Sequence, residues 1–238
     1  MSAERELLSL VRAAVDKYGM IPRESSVAVG VSGGKDSLCA LYALARLREF
    51  HPSGFTVKAI SADMNFFGRP TDFSAVSELC DRLGVEHVIR PTELYHIIFE
   101  EREEKNPCSL CSRMRRGILH VKAKELGCDI VALGHHADDA AETVLMNLLR
   151  GGRFEGLPAK SYLDRRDITV IRPLIFCSEG LCSRFAAEQQ LPVVKSGCPV
   201  NGDTERARVR SLIESLRADY PDIKSKLTGA AQRMYDKE

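Results

Sequence analysis

The chain of 238 residues contains no tryptophan, and aromatic residues make up only 6% of it. That composition offers no obvious platform for stacking nucleic-acid bases. No stretch approaches the roughly 18 consecutive apolar residues of a membrane-spanning helix. The opening residues, MSAERELLSLVRAAV, lack the charged, apolar and small-residue succession of a secretory signal. An excess of one charge is also missing, since 34 Lys and Arg against 33 Asp and Glu leave a formal net charge of +1. These absences exclude a spanning or secreted protein and set the expectation of a cytoplasmic one with no membrane partner. Hydrophobic residues at 44% and charged residues at 28% fit an ordinary globular chain. Its length suits one large domain, or a domain with an appendage, able to bury roughly 70 to 75% of its unfolded surface. In a reducing compartment the eight cysteines read as thiols, metal ligands or redox groups rather than disulfides.

The near-neutral total hides a local asymmetry. Lys105, Arg113, Arg115, Arg116, Lys122 and Lys124 fall within twenty residues that hold no carboxylate, directly after Glu100, Glu101, Glu103 and Glu104. A basic face of this kind suits a polyanion.

Hydrophobic periodicity gives the organisation. Leu7, Leu8, Val11, Ala14 and Val15 form one helical stripe, ended by Gly19 and Pro22. Short, uniformly apolar runs at Val27 to Val31, Phe55 to Ala62, Val85 to Ile89, Ile130 to Leu133 and Ile168 to Ile171 read as strands buried on both faces. Helical segments separate them at about 36–50, 71–83, 111–126 and 137–149, with Gly84 and Gly127 as stops. The alternation predicts an α/β fold, a doubly wound parallel five-stranded sheet with right-handed crossovers. Past Pro173 the pattern turns helical, at 178–190, 203–216 and 222–234, which sets a division into a main domain, 1–175, and a small helical C-terminal region, 176–238. Arg150 to Arg166 reads as a mobile loop. In such sheets ligands bind beyond the carboxyl ends of the strands, so the loops after Val31, Ala62 and Leu133 hold the candidate site.

After the first strand comes Ser32-Gly33-Gly34-Lys35-Asp36-Ser37. Glycines let the backbone approach an anion, successive N–H groups cradle its oxygens, and the helix start and Lys35 add positive charge. The string is neither the phosphate loop of γ-phosphate transfer nor the dinucleotide fingerprint. It resembles the pyrophosphate loop of the N-type ATP pyrophosphatases, the PP-loop superfamily with the adenine nucleotide alpha hydrolase-like fold. That resemblance implies cleavage of ATP between its α and β phosphates and adenylation of a substrate oxygen. It also implies a pyrophosphate held by Ser32 to Ser37 with Lys35, Mg²⁺ partnered by Asp36, and ribose or adenine near Asp63.

The segment Asn106-Pro107-Cys108-Ser109-Leu110-Cys111-Ser112-Arg113-Met114-Arg115-Arg116-Gly117 opens the fourth helix. A helix start and neighbouring arginines are expected to lower the pKa of both thiols. The pair by itself fits a redox dithiol, two zinc ligands or part of an iron-sulfur cluster. Cys198, in a Gly/Pro turn, is the best candidate for a third ligand, whereas Cys39, Cys80, Cys128, Cys177 and Cys182 read as small buried hydrophobes.

Cys108 to Leu119, Leu133-Gly134-His135-His136-Ala137-Asp138-Asp139, Gly151-Gly152 and Ile171-Arg172-Pro173-Leu174 follow one another as in the tRNA 2-thiocytidine biosynthesis family, which the chain resembles over about residues 5–200. The resemblance implies an ATP-dependent tRNA sulfurtransferase with a 4Fe-4S cluster on Cys108, Cys111 and Cys198, one iron being left free to carry hydrosulfide. ATP would adenylate the C2 oxygen of a pyrimidine, cytidine in the anticodon loop by this resemblance, and sulfur would displace AMP. The sulfur would come from sulfide or a cysteine desulfurase, and relatives are often homodimers. In this scheme Lys35, Asp36, Arg115, Asp138 and Asp139 are the catalytic candidates, and Gly134 lies at the nucleotide. Arg113, Arg116, Arg150, Arg153, Arg165 and Arg166 are candidates for RNA phosphate contacts. His135 and His136 read as loop residues over the nucleotide. The same chemistry on a uridine or small molecule, or a nucleotide-binding redox sensor without turnover, are the rival readings.

Overall fold

The computed structural model describes residues 2–200 and 204–235. Helix α1 (Ala3–Lys17) leads to β1 (Ser26–Gly30), α2 (Lys35–Leu47), β2 (Thr56–Asp63), α3 (Ser74–Arg82) and β3 (Glu86–Pro91). After a wide π-type turn at His96–Glu101 come α4 (Pro107–Glu125), β4 (Ile130–Ala132), α5 (Ala137–Gly151), β5 (Lys160–Leu163) and β6 (Ile168–Ile171). Helices α6 (Glu179–Glu188), α7 (Glu205–Leu216) and α8 (Ile223–Tyr235) complete it. The start expected for α7 at Asp203 lies outside the described residues. Among the described residues no helix is long and apolar enough to cross a membrane.

All five expected strands form, and they pair in parallel in the order β3-β2-β1-β4-β6, but β3, expected to be buried on both faces, lies at the sheet edge and is largely exposed. A sixth, β5, joins the edge antiparallel to β6, with Lys160 opposite Ile171. The stretch read as a mobile loop is thus partly sheet. Lys160-Ser161-Tyr162-Leu163 is too short and too polar for the buried-strand pattern, and suits an edge where alternate side chains meet water and a lysine discourages further pairing.

Side chains alternate across the sheet. Val27, Val29 and Val31 join α1, α2, α3 and α6 in one core, while Ala28, Ile60, Val131 and Val170 pack against Leu119 and Ala123 of α4 on the other face. Gly30 permits the close approach of α4, since a Cβ there would lie 3.0 Å from Leu119 Cδ1. Leu181, Cys182 and Phe185 of α6 belong to the first core, so the boundary expected at 175 runs through a continuous hydrophobic interior. Helices α7 and α8 instead cover α5 through Val209, Ile213 and Leu227.

The chain winds from β1 outward to β3, then returns to the other side of β1 for β4. Its direction reverses between β1 and β4, and the crevice at their carboxyl ends is where such sheets bind ligands.

Candidate active site

A cavity of about 470 Å³ opens at this reversal point. The loop after β1 supplies Ser32, Gly34, Asp36 and Ser37; the loop after β4 supplies Gly134, His135 and Asp139. Helix α4 adds Cys108, Cys111, Arg115 and Arg116, and Cys198 comes from the segment after α6.

The glycine loop is held by its own hydroxyls. Ser37 Oγ donates to Gly34 O at 2.8 Å and accepts from Ser32 N at 3.1 Å, and Gly34 N donates to Ser32 Oγ at 3.3 Å. Gly33 has φ +81, and a Cβ there would meet Val194 Cβ at 2.8 Å, because Val194 N donates to Gly33 O. Both the backbone conformation and the close strap exclude a side chain. The N-cap of α2 is Gly34, and no side chain caps it, so the first-turn amides and the positive helix end face the cavity. Lys35 is turned elsewhere: Nζ lies 2.9 and 3.0 Å from the two Asp36 carboxylate oxygens and 3.3 Å from Glu179 Oε1. Burial works against its charge, but bonds to and the charges of Asp36 and Glu179 outweigh burial and hold its pKa above the ordinary lysine value.

The loop after β4 touches the start of α2. A Cβ at Gly134 would lie 2.7 Å from Asp36 C and O, so only glycine lets the two loops meet. His136 is buried and caps α5: its Nδ1 accepts from Asp139 N at 3.3 Å while Asp139 Oδ2 accepts from His136 N at 3.0 Å. With Nδ1 accepting, a neutral His136 carries its proton on Nε2, 3.9 Å from Asp36 Oδ1. His135 Nδ1 is buried without a partner. Burial first, then Arg172 and Arg206, push its pKa down to about 4 against the pull of Asp139, so its imidazole is neutral at pH 7. Asp139 also binds Arg206 Nη1 at 2.6 Å; burial opposes its charge, but His136, His135, the backbone bond and Arg206 prevail and lower its pKa.

Two carboxylates expected at the crevice do not reach it. Asp138 accepts from Glu179 N at 2.8 Å and lies 3.2 Å from Lys224 Nζ, which ties α5 to α6 and α8. Asp63 accepts from Thr71 N, Thr71 Oγ1 and Asn65 N, which closes the loop after β2. Neither lines the cavity; at the end of β2 it is Ala62 that does. A buried carboxylate at a strand or helix end is consumed by nearby backbone donors, and sequence spacing does not reveal that competition.

Cys108, Cys111 and Cys198 line one cavity, although 86 residues of chain lie between Cys111 and Cys198. Helix α4 starts at Pro107, earlier than the periodicity suggests, so Cys108 and Cys111 sit in and just after its first turn on one side. Their pKa values are not lowered. Burial pushes both thiols up and the charge of Cys198 adds to it; only Arg115 pulls Cys111 down. Burial is the largest cause for both, and for Cys111 it outweighs the pull of Arg115. Among the described residues no three His, Cys, Asp or Glu side chains close on a single metal-ion position. Three thiols lining one cavity are a donor set of the kind an iron-sulfur cluster takes.

The basic helix face is half spent. Lys122 pairs with Glu125, and Lys124 with Asp129 and Asp167. Arg115 and Arg116 remain at the cavity, Arg116 Nε bonding to Ser112 O at 3.2 Å. Arg113 is exposed, as are Arg153, Arg165 and Arg166; Arg150 is bound to Glu205. Arg166 and Arg116 both lie close enough to His120 to depress its pKa, after burial, which brings the turn at Asp164–Arg166 to the same side as α4. Sequence reasoning missed Glu179 and Arg206, which neutralise Lys35 and Asp139 from distant helices and carry no local signal.

The PP-loop domain matches residues 2–216. A tRNA-cytidine(32) 2-sulfurtransferase of Geobacter sulfurreducens is 35% identical over 229 residues, spanning 95% of this chain and 88% of that protein. The enzyme of that name from Pelobacter propionicus is 37% identical over 234 residues, 97% of this chain and 86% of its own. The chain belongs to the PP-loop family, in the tRNA-cytidine(32) 2-sulfurtransferase branch. A solved structure, the U34-tRNA thiolase NcsA from Methanococcus maripaludis with its [4Fe-4S] cluster, superposes with a TM-score of 0.79 at 27% identity. The match covers 97% of this chain and 78% of that one.

Proposed function

We propose that this PP-loop protein is an ATP-dependent tRNA sulfurtransferase of the cytoplasm, which replaces the C2 oxygen of a cytidine in the anticodon loop, position 32, with sulfur. One observation carries it: the uncapped glycine loop and three cysteines from distant parts of the chain line one cavity. The branch relatives are cytidine-32 enzymes at 35 and 37% identity, which favours cytidine over the uridine of the more distant NcsA.

In the first step the cytidine C2 oxygen attacks the α-phosphorus of ATP and pyrophosphate leaves. Amides from Ser32 to Ser37 receive the pyrophosphate, and each well-placed donor contributes about 3 kcal/mol to the developing charge. Lys35 joins them by exchanging Asp36 and Glu179 for phosphate oxygens. Gly134 keeps the loop after β4 close enough for Asp139 and neutral His135 to border the nucleotide. Asp36 would be the protein partner of a Mg²⁺ ion, which would supply charge neutralisation for the phosphates. Arg115, against Cys111, balances negative charge at the sulfur end of the cavity.

In the second step sulfide attacks C2, the C2–O bond breaks, and AMP departs with the oxygen. Cys108, Cys111 and Cys198 would hold a 4Fe-4S cluster, which supplies an iron position free of protein ligands for sulfur delivery. The donor is inorganic sulfide or a cysteine desulfurase. Arg113, Arg116, Arg153, Arg165 and Arg166 hold tRNA phosphates, while Arg150 is already neutralised by Glu205. Every group assigned comes from a single chain, whether or not it forms a homodimer. Asp63 and Asp138 serve as braces and carry no step.

Anaerobic reconstituted protein incubated with ATP, sulfide and unmodified tRNA is expected to yield AMP and 2-thiocytidine. Cys198→Ser is expected to lose the iron-sulfur absorbance together with thiolation. AMP release without a thionucleoside, or cluster absorbance unchanged in Cys198→Ser, would refute the assignment.

A further inference from the structure

We propose that Phe67 is the stacking platform for an unstacked base of the RNA substrate, an inference that rests on the tRNA reading above. Between β2 and α3 the chain makes a short loop in which Asn65, Phe67 and Gly68 have φ of +52, +54 and +70. Glycine adopts that region freely; a phenylalanine there is a steric outlier. The loop also leaves Asn65 Oδ1 buried without a partner. Strain of this kind persists only where the surrounding structure enforces it, and it concentrates at functional sites.

What the strain achieves is presentation of a ring. Phe67 is 59% exposed, and behind it Tyr95 is buried, their centroids 4.7 Å apart. Tyr95 is in turn stacked on Phe99 at 5.3 Å. Single exposed apolar side chains need no explanation, but one held in the left-handed region and backed by a column of rings does. The column stands at the sulfur end of the cavity. Phe99 packs into the same apolar cluster as Cys111 and Met114, and the ring of Phe66 would lie 3.2 Å from a Cβ on Gly197, the neighbour of Cys198.

The surroundings select the occupant. Arg69, two residues beyond Phe67, is exposed and forms no ion pair among the described residues. A flat, exposed π-face with an unpaired arginine two residues along the chain fits a base and its phosphate. A nucleotide taken out of its stack to reach the cavity leaves a neighbour whose face needs cover, and Phe67 offers that cover.

The absence of tryptophan makes this testable directly, because Phe67→Trp places the protein's sole indole on the platform. In the cluster-loaded full chain, tRNA is expected to quench that indole severalfold, whereas heparin, a polyanion without bases, leaves its emission unchanged. Phe67→Ala is expected to weaken tRNA binding by about fivefold to a hundredfold, with ATP affinity and unfolding temperature unchanged and Phe67→Tyr restoring affinity. The proposal is overturned if labelled tRNA binds Phe67→Trp with its emission unchanged, or if Phe67→Ala binds as tightly as the parent. Either result leaves the tRNA reading standing; failure of the parent protein to bind tRNA would remove both.

Discussion

Two glycine-to-alanine substitutions separate the geometry of the site from glycine chemistry in general. At Gly134 a methyl group would lie 2.7 Å from Asp36 C and O and 2.8 Å from Ser37 N. These are backbone atoms at the start of α2, so no rotamer change relieves the clash and the two loops must part. Overpacking of this kind costs about 1 to 3 kcal/mol, and rigid neighbours put Gly134→Ala at the upper end. Gly117, inside α4, has nothing within 4 Å, and alanine there should stabilise the helix by about 0.5 to 1 kcal/mol. For a chain of this size 1 kcal/mol moves the unfolding midpoint by roughly 2 to 4 °C. Thermal unfolding should therefore show Gly134→Ala roughly 5 to 10 °C below the parent and Gly117→Ala a few degrees above it. Because the displaced atoms belong to the glycine loop, ATP–pyrophosphate exchange should also fall in Gly134→Ala and stay unchanged in Gly117→Ala. A Gly134→Ala variant with parental stability and parental exchange would refute the idea that loop contact at the sheet's reversal point shapes the nucleotide site.

Three further outcomes follow from the same structure. Iodoacetamide applied to cluster-free protein at about pH 8 should label Cys108, Cys111 and Cys198 first, since Cys39, Cys80, Cys128, Cys177 and Cys182 are buried and burial pushes Cys80 to about 11 and Cys177 to about 12; early label on a buried thiol, seen by peptide mass spectrometry, contradicts this. His135 titrates near 6.5 when unfolded and near 4 when folded, so between those values the unfolded chain binds the extra proton and stability falls as pH is lowered. Denaturant unfolding should show that decline flattened in His135→Asn, and an unchanged slope would count against a neutral His135. Arg116→Ala should reduce the log–log salt slope of tRNA binding by about 1, whereas Arg150→Ala, whose guanidinium is held by Glu205, should change it little; equal effects would show that the ion pair does not decide which arginines meet RNA.

The buried strands were legible because strands covered on both faces carry runs dominated by Val, Ile and Ala, as at Val27 to Val31 and Ile168 to Ile171. The edge strand at Lys160–Leu163 was not, because half its surface is wet and its short polar run resembles a loop. The glycine loop and the Cys108/Cys111 pair were legible because their spacing is local: a tight turn at a helix start and one helical turn. Cys198 stood out only by its Gly/Pro surroundings. The pairing of Lys35 with Glu179 and of Asp139 with Arg206 left no trace, since charges that meet across the fold obey no sequence interval.

Sequence alone determined the five parallel strands, the anion-binding turn and the helix that carries two thiols, because each is written in neighbours a few residues apart. Tertiary structure decided which carboxylates face the cavity and which serve as braces, what neutralises each cation, and that Phe67 stands exposed in a left-handed loop. Those outcomes depend on competition for hydrogen bonds, charge and space between segments far apart in the chain, and that competition exists only once the segments have packed.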